Sequence, residues 1–216
     1  MSLWVKICAN TSLHDAMLAV DAGAAAVGFV FAPSPRQVTV QQIAAITPSL
    51  PPEIEKVGVF VDSAFEEIEA AVQTCALTGV QIHFEGGEDL PARLRSRFGP
   101  ALRILHVLHF APGVTNKAAA LAADKSIDAI LIDSRTTTAI GGTGIRFDWD
   151  KAASLFRTAG IKMIAAGGLN PANVGEAISK LHPWGVDVVS GVEATPGRKD
   201  PEKVRAFVQN ARCTES

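Results

Sequence analysis

The chain has 216 residues, 48% of them hydrophobic, with 20 basic and 22 acidic side chains and a formal net charge of -2. That apolar content excludes a disordered chain and suits one domain, residues 1–216, with a substantial core. The near-neutral balance offers no field to nucleic acid or a membrane surface, and no apolar run approaches the ~20 residues that span a bilayer.

Cys8, Cys75 and Cys213 are too few for a disulfide framework. No Cys-x-x-Cys or His-x-x-x-His pair offers a zinc site, so no metal is expected. The first residues lack the basic-then-apolar pattern of a secretory signal, which makes the cytoplasm the expected location.

Apolar strand candidates alternate with helix-like segments along the chain. Strand 3–8 contains Val5-Lys6-Ile7-Cys8 and breaks at Ala9-Asn10-Thr11. Asn10, Thr11 or Ser12 can cap helix 12–22, and Gly23 can end it in a left-handed conformation. Strand 26–31 leads through Pro33-Ser34-Pro35-Arg36 into helix 39–48. Strand 56–61 and helix 64–76 follow, with Gly79 expected to close that helix as Gly23 closes the first. Strand 79–83 carries Gln81 and His83 on one face and precedes helix 88–98. Strand 102–108 holds His106, whose odd separation from His109 sets the two on opposite faces; helix 115–123 comes next. Strand 128–132 ends at Asp133, far ahead of helix 148–158 with Gly160 after it. Strand 162–165 runs into Ala166-Gly167-Gly168, and Asn170-Pro171 is expected to cap helix 171–181 with proline at its first position. Strand 186–189 precedes Ser190-Gly191, and Asp200-Pro201 opens helix 200–210 in the same way.

Strict alternation of eight such units predicts an α/β chain folded as a single (β/α)8 TIM barrel. The rival, an open doubly wound sheet, carries Gly-x-Gly-x-x-Gly in its first turn. The first turn here, Cys8-Ala9-Asn10-Thr11, has no glycine.

Barrels gather their chemistry at the carboxyl ends of the strands. Cys8 ends the first strand, with Lys6 two residues earlier on the same face. A nearby ammonium is expected to favour the thiolate, which makes Cys8 a candidate general base. The alternative is an inert core cysteine. Asp133 ends the sixth strand and is a candidate general acid. Capping is its alternative, weakened by the distance to the next helix. Arg36, in a loop stiffened by two prolines, can take a carboxylate bidentately or stand solvated. Glycine concentrates at Gly141-Gly142-Thr143-Gly144, Gly167-Gly168 and Ser190-Gly191. The last two fall on the usual phosphate loops of a barrel, where backbone N–H groups can approach an anion. Tight turns are the alternative. The expected ligand is a small phosphorylated molecule. Asp62, Gln81 and His83 also lie near strand ends, with no role fixed.

Val5-Lys6-Ile7-Cys8, Val27-Gly28-Phe29-Val30-Phe31 with Ser34-Pro35-Arg36, and Val57-Gly58-Val59-Phe60-Val61 are joined by Val80-Gln81-Ile82-His83 and Leu131-Ile132-Asp133-Ser134. With Phe147-Asp148-Trp149, Ala166-Gly167-Gly168-Leu169-Asn170-Pro171 and Ser190-Gly191-Val192-Glu193, the set resembles the phosphoribosylanthranilate isomerase family of tryptophan biosynthesis over nearly the whole chain. The resemblance implies a cofactor-free Amadori rearrangement. In it Asp133 protonates the ribose ring oxygen and Cys8 removes the proton from C2. Arg36 holds the anthranilate carboxylate, and Gly142, Gly167, Gly168, Ser190 and Gly191 hold the phosphate. The implied partner is a small phosphorylated substrate, neither nucleic acid nor membrane, on a monomer or homodimer. A related histidine-pathway isomerase uses two aspartates, and Cys8 separates this chain from it. A binding barrel without turnover is argued against by Cys8, Asp133 and Arg36. Ala9 and Phe84 stand where the family usually has glycine. Ala9 is strained if its position needs φ > 0, and Phe84 brings a ring to the mouth.

Overall fold

In the computed structural model, which describes residues 2–83, 89–134 and 148–214, strands and helices alternate as the apolar pattern predicts. The order is β1 (Trp4–Ile7), α1 (Leu13–Asp21), β2 (Ala26–Val30), α2 (Val40–Ile46), β3 (Glu55–Val61) and α3 (Phe65–Thr74). Next come β4 (Gly79–His83), α4 (Leu90–Phe98), β5 (Arg103–His109), α5 (Val114–Ala123), β6 (Ala129–Asp133) and α6 (Trp149–Thr158). The chain ends with β7 (Lys162–Ala165), α7 (Val174–Leu181), β8 (Gly185–Val188), the short strands β9 (Glu193–Thr195) and β10 (Arg198–Lys199), and α8 (Pro201–Cys213). Strands β1 to β8 form a closed barrel, with β8 pairing back to β1 in parallel. Among the described residues no helix is long and apolar enough to cross a membrane.

Local chemistry places the helix starts. The Ser12 side chain accepts the Asp15 N–H at the head of α1. Asp148 does the same for Lys151 in α6, and Asp200 accepts from Glu202 and Lys203 at the head of α8. Each satisfies an N–H that the helix cannot. Two expectations need correction. Gly79 does not close a helix but begins β4, and the left-handed residue after α3 is Ala76, at φ 48°. Asn170 does not cap α7 directly. Its side chain accepts the Ala172 N–H two residues on, which folds a turn over 171–173 and delays the helix to Val174.

Apolar side chains fill two shells. Val5, Ile7, Val27, Phe29, Ile130 and Ile132 pack between the strands and the helices. Trp4, Ala26, Val57, Leu105, Leu131 and Ile164 fill the barrel interior. Trp4 stacks on Trp184 at 5.3 Å and donates to Glu55 at 3.2 Å, at the amino-terminal end of the barrel. Because side chains alternate along a strand, the inner face of β1 reads Trp4, Lys6, then Cys8 just beyond it. The interior is therefore apolar at its amino-terminal end and polar at its carboxyl-terminal end.

Candidate active site

Lys6 is fully buried at the centre of this polar end. The β1–β8 register sets it beside Asp187, 3.2 Å away. Its ammonium also donates to Cys8 Sγ at 3.4 Å and to Gln81 Oε1 on β4. Burial would lower the Lys6 pKa, but the charges of Asp187 and Cys8 outweigh it and lift the group above its ordinary value. Lys6 is thus an ammonium inside a barrel.

Cys8 follows β1 and is buried. Burial pushes its thiol up, against the opposing pull of Lys6 and then Lys199. Lys6 acts in the expected direction, yet the expectation of a favoured thiolate is corrected, because desolvation penalises the charged form more strongly. Lys6 is the largest of the influences that favour the thiolate. The turn after Cys8 is strained. Ala9 is buried at φ 62°, a left-handed conformation costing about 1–2 kcal/mol for an L-residue with a Cβ. Asn10 holds the turn by donating to Ile7 O at 2.8 Å and Gly28 O at 3.2 Å. Gly28 leaves room for the thiol, since a Cβ there would collide with Cys8 Sγ.

Gln81 and His83 share the inner face of β4, and their side chains meet at 3.0 Å. An ammonium only donates, so the Gln81 oxygen faces Lys6 and its amide faces His83 Nε2. Nε2 therefore accepts, and the neutral imidazole carries its proton on Nδ1. The His83 ring lies 6.4 Å from that of His109.

Asp133 is buried at the end of β6. Among the described helices the next one, α6, is capped by Asp148. Asp187, pushed up by burial against the pull of Lys6, also feels the Asp133 carboxylate. Asp187 thus couples electrostatically to the neighbourhoods of both Cys8 and Asp133. It was not among the expected site residues, although a lone carboxylate in the apolar run Val186-Asp187-Val188 was a signal for it.

Arg36 is not a solvated loop residue. It is buried, and its Nε and Nη2 donate to the two carboxylate oxygens of Glu193 at 2.8 and 2.7 Å. The carboxylate it grips bidentately is this chain's own. Asp62 follows β3 as an exposed residue.

Gly167 and Gly168 both have positive φ, 77° and 68°. Among the described residues their N–H groups donate to nothing. A Cβ on Gly167 would collide with Ser134 and Asp133, and one on Gly191 with the Leu169 carbonyl. The loops after β7 and β8, which include Ser190, therefore pack into one wall beside Asp133. Gly142 and Phe84 lie outside the described residues.

A family model described as N-(5'phosphoribosyl)anthranilate (PRA) isomerase matches residues 5–210. The N-(5'-phosphoribosyl)anthranilate isomerase of Pelobacter propionicus is 43% identical over 213 residues, covering 98% of this chain and 97% of the relative. The crystal structure of phosphoribosyl anthranilate isomerase from Thermotoga maritima superposes with a TM-score of 0.88 at 35% identity, over 98% of this chain and 99% of that one. A further phosphoribosyl anthranilate isomerase structure, in complex with reduced 1-(o-carboxyphenylamino)-1-deoxyribulose 5-phosphate, gives 0.84 at 33% identity, over 98% and 99%.

Proposed function

The chain belongs to the N-(5'-phosphoribosyl)anthranilate isomerase family of tryptophan biosynthesis, and we propose that Cys8 and Asp133 are the base and acid of its Amadori rearrangement. The observation that carries this reading is the buried Cys8–Lys6 contact at 3.4 Å, at the same end of the barrel as buried Asp133.

Asp133 gives a proton to the ribose ring oxygen, and the C1–O bond breaks to leave an iminium. Cys8, as thiolate, takes the proton from C2, and the electron pair of that C–H bond neutralises the iminium as an enolamine. Tautomerisation moves the C2 hydroxyl proton to C1 and gives the ketone, 1-(2-carboxyphenylamino)-1-deoxyribulose 5-phosphate. One proton is given and one taken, so the sequence of steps needs no cofactor. Lys6 stabilises the thiolate that forms, a charge-directed effect strengthened by the dry interior. Strands β1 and β6 are not neighbours in the barrel, so the sugar fits between the two groups. Arg36 holds the anthranilate carboxylate. The backbone N–H groups of Gly167, Gly168, Ser190 and Gly191, joined by Gly142, hold the phosphate. A fluorescence assay with freshly prepared N-(5'-phosphoribosyl)anthranilate tests the activity. Consumption with appearance of the ketone supports it, and an unchanged substrate signal beyond spontaneous decay refutes it.

A further inference from the structure

Glu193 opens the β9–β10 hairpin and is buried between two cations. Arg36 grips its carboxylate by two hydrogen bonds, and Lys199 Nζ lies 3.6 Å away. The Gly197 N–H adds a bond at 3.2 Å from within the hairpin. The hairpin is itself anchored. Lys203 donates to Glu193 O at 2.9 Å, and Thr11 to Gly197 O at 2.6 Å. Burial pushes the Glu193 carboxyl up, but the hydrogen bonds from Arg36 and the charges of Lys199 and Arg36 outweigh it and hold the group ionised.

The geometry at Arg36 matters most. Glu193 occupies the Nε–Nη2 edge of the guanidinium. Among the described residues the Arg36 side chain makes no other hydrogen bond, so the Nη1 side of the fork is left for a second carboxylate. A free arginine loses rotamer entropy when it is fixed, and here Glu193 fixes it before any ligand arrives. Lys199 sets a second cation beside Glu193, with the Asp15 carboxylate accepting from its backbone N–H; burial lowers the Lys199 pKa against the pull of Glu193. Lys199 further donates to Cys8 O at 2.6 Å, so the same cluster is tied to the turn that carries the thiol.

We propose that Glu193 is a positioning residue that presents the open edge of Arg36 to the carboxylate on the substrate's aromatic ring, with Lys199 contacting the same Glu193 carboxylate and tying the cluster to Cys8. The proposal rests on the reading that Arg36 holds that carboxylate. Two probes separate them: reduced 1-(o-carboxyphenylamino)-1-deoxyribulose 5-phosphate, and the same molecule without the ring carboxyl. Their Kd values are measured by calorimetry on the full chain and on Arg36→Met and Glu193→Gln. The parent is expected to prefer the carboxylated probe and Arg36→Met to lose that preference. Glu193→Gln is expected to lower the preference about tenfold while binding the other probe within about twofold of the parent. Parental preference in Glu193→Gln, with the preference lost in Arg36→Met, overturns the role of Glu193 alone. Retained preference in Arg36→Met overturns the reading of Arg36 as well. Equal weakening toward both probes also overturns the proposal, because it marks a merely structural residue. Should Glu193→Gln not fold, Glu193→Asp keeps the charge but shortens the reach. It is expected to lower the preference by a smaller factor, and an unchanged preference there overturns the proposal.

Discussion

Replacing Lys6 by methionine removes the buried ammonium that faces Cys8. At the 3.4 Å Nζ–Sγ separation, unit charges interact by about 5 kcal/mol at an effective dielectric of about 20. Part of this is cancelled. Asp187 lies 3.2 Å from the same nitrogen, and burial already pushes its carboxyl up, so it takes a proton once Lys6 is gone. The two losses oppose each other at Cys8, and because Lys6 acts on the thiol more strongly than Asp187 a net rise is expected. The sign follows from the causes. Burial lifts the Cys8 thiol and Lys6 pulls it down, so without Lys6 the thiolate forms only at higher pH. The ascending limb of kcat/KM against pH should therefore move upward, with a loss of about 10- to 100-fold near neutral pH. Ultraviolet thiolate absorbance, in a background lacking Cys75 and Cys213, reads the same shift without turnover. Lys6→Met/Asp187→Asn serves as the folding control, since removing both partners avoids an unpaired buried carboxylate. An ascending limb that stays in place in a folded Lys6→Met variant refutes the reasoning.

Asp133→Asn keeps the size of the side chain but has no carboxylic proton to give. Its kcat should fall about 10²–10⁴-fold while the reduced product still binds, and normal turnover would move the acid elsewhere. A crystal soaked in inorganic phosphate should show the anion against the N–H groups of Gly167, Gly168 and Gly191, and an anion found only on a distant cationic patch contradicts that cradle. Gly191→Ala should weaken phosphate binding sharply, because its Cβ collides with the Leu169 carbonyl. Nitrogen NMR should find the His83 proton on Nδ1, and Gln81→Leu should allow the other tautomer; a proton on Nε2 in the parent would show the Gln81 amide turned the other way.

The barrel is legible because every strand is an apolar run with its own helix after it, and the period changes at each boundary. Ser12 and Asp200-Pro201 are legible as caps because capping is local. Ala76 hides the end of α3, since an alanine at φ 48° is held there by its surroundings and not by propensity. Asn170 misleads for a similar reason, as its side chain can close a turn as readily as it can cap a helix. The β9–β10 hairpin escapes because strands of three and two residues show no period. In the site, Cys8, Asp133 and Arg36 stand out by residue type at strand ends. Their partners do not. Glu193 is 157 residues from Arg36, and Lys199 is 191 from Cys8, so only closure of the barrel brings them together. Burial of Cys8 is likewise a property of the fold, which is why Lys6 alone gave the wrong balance for its thiol.

Cys8 as the group that removes the C2 proton is the centre of this account. The most direct test is the kcat of Cys8→Ala with N-(5'-phosphoribosyl)anthranilate, measured beside its Kd for the reduced product. A proton-transfer group acts mainly in the transition state, so kcat should fall by at least about 10²–10⁴-fold while Kd stays within a few-fold of the parent. A Cys8→Ala variant that turns over within a few-fold of the parent contradicts it.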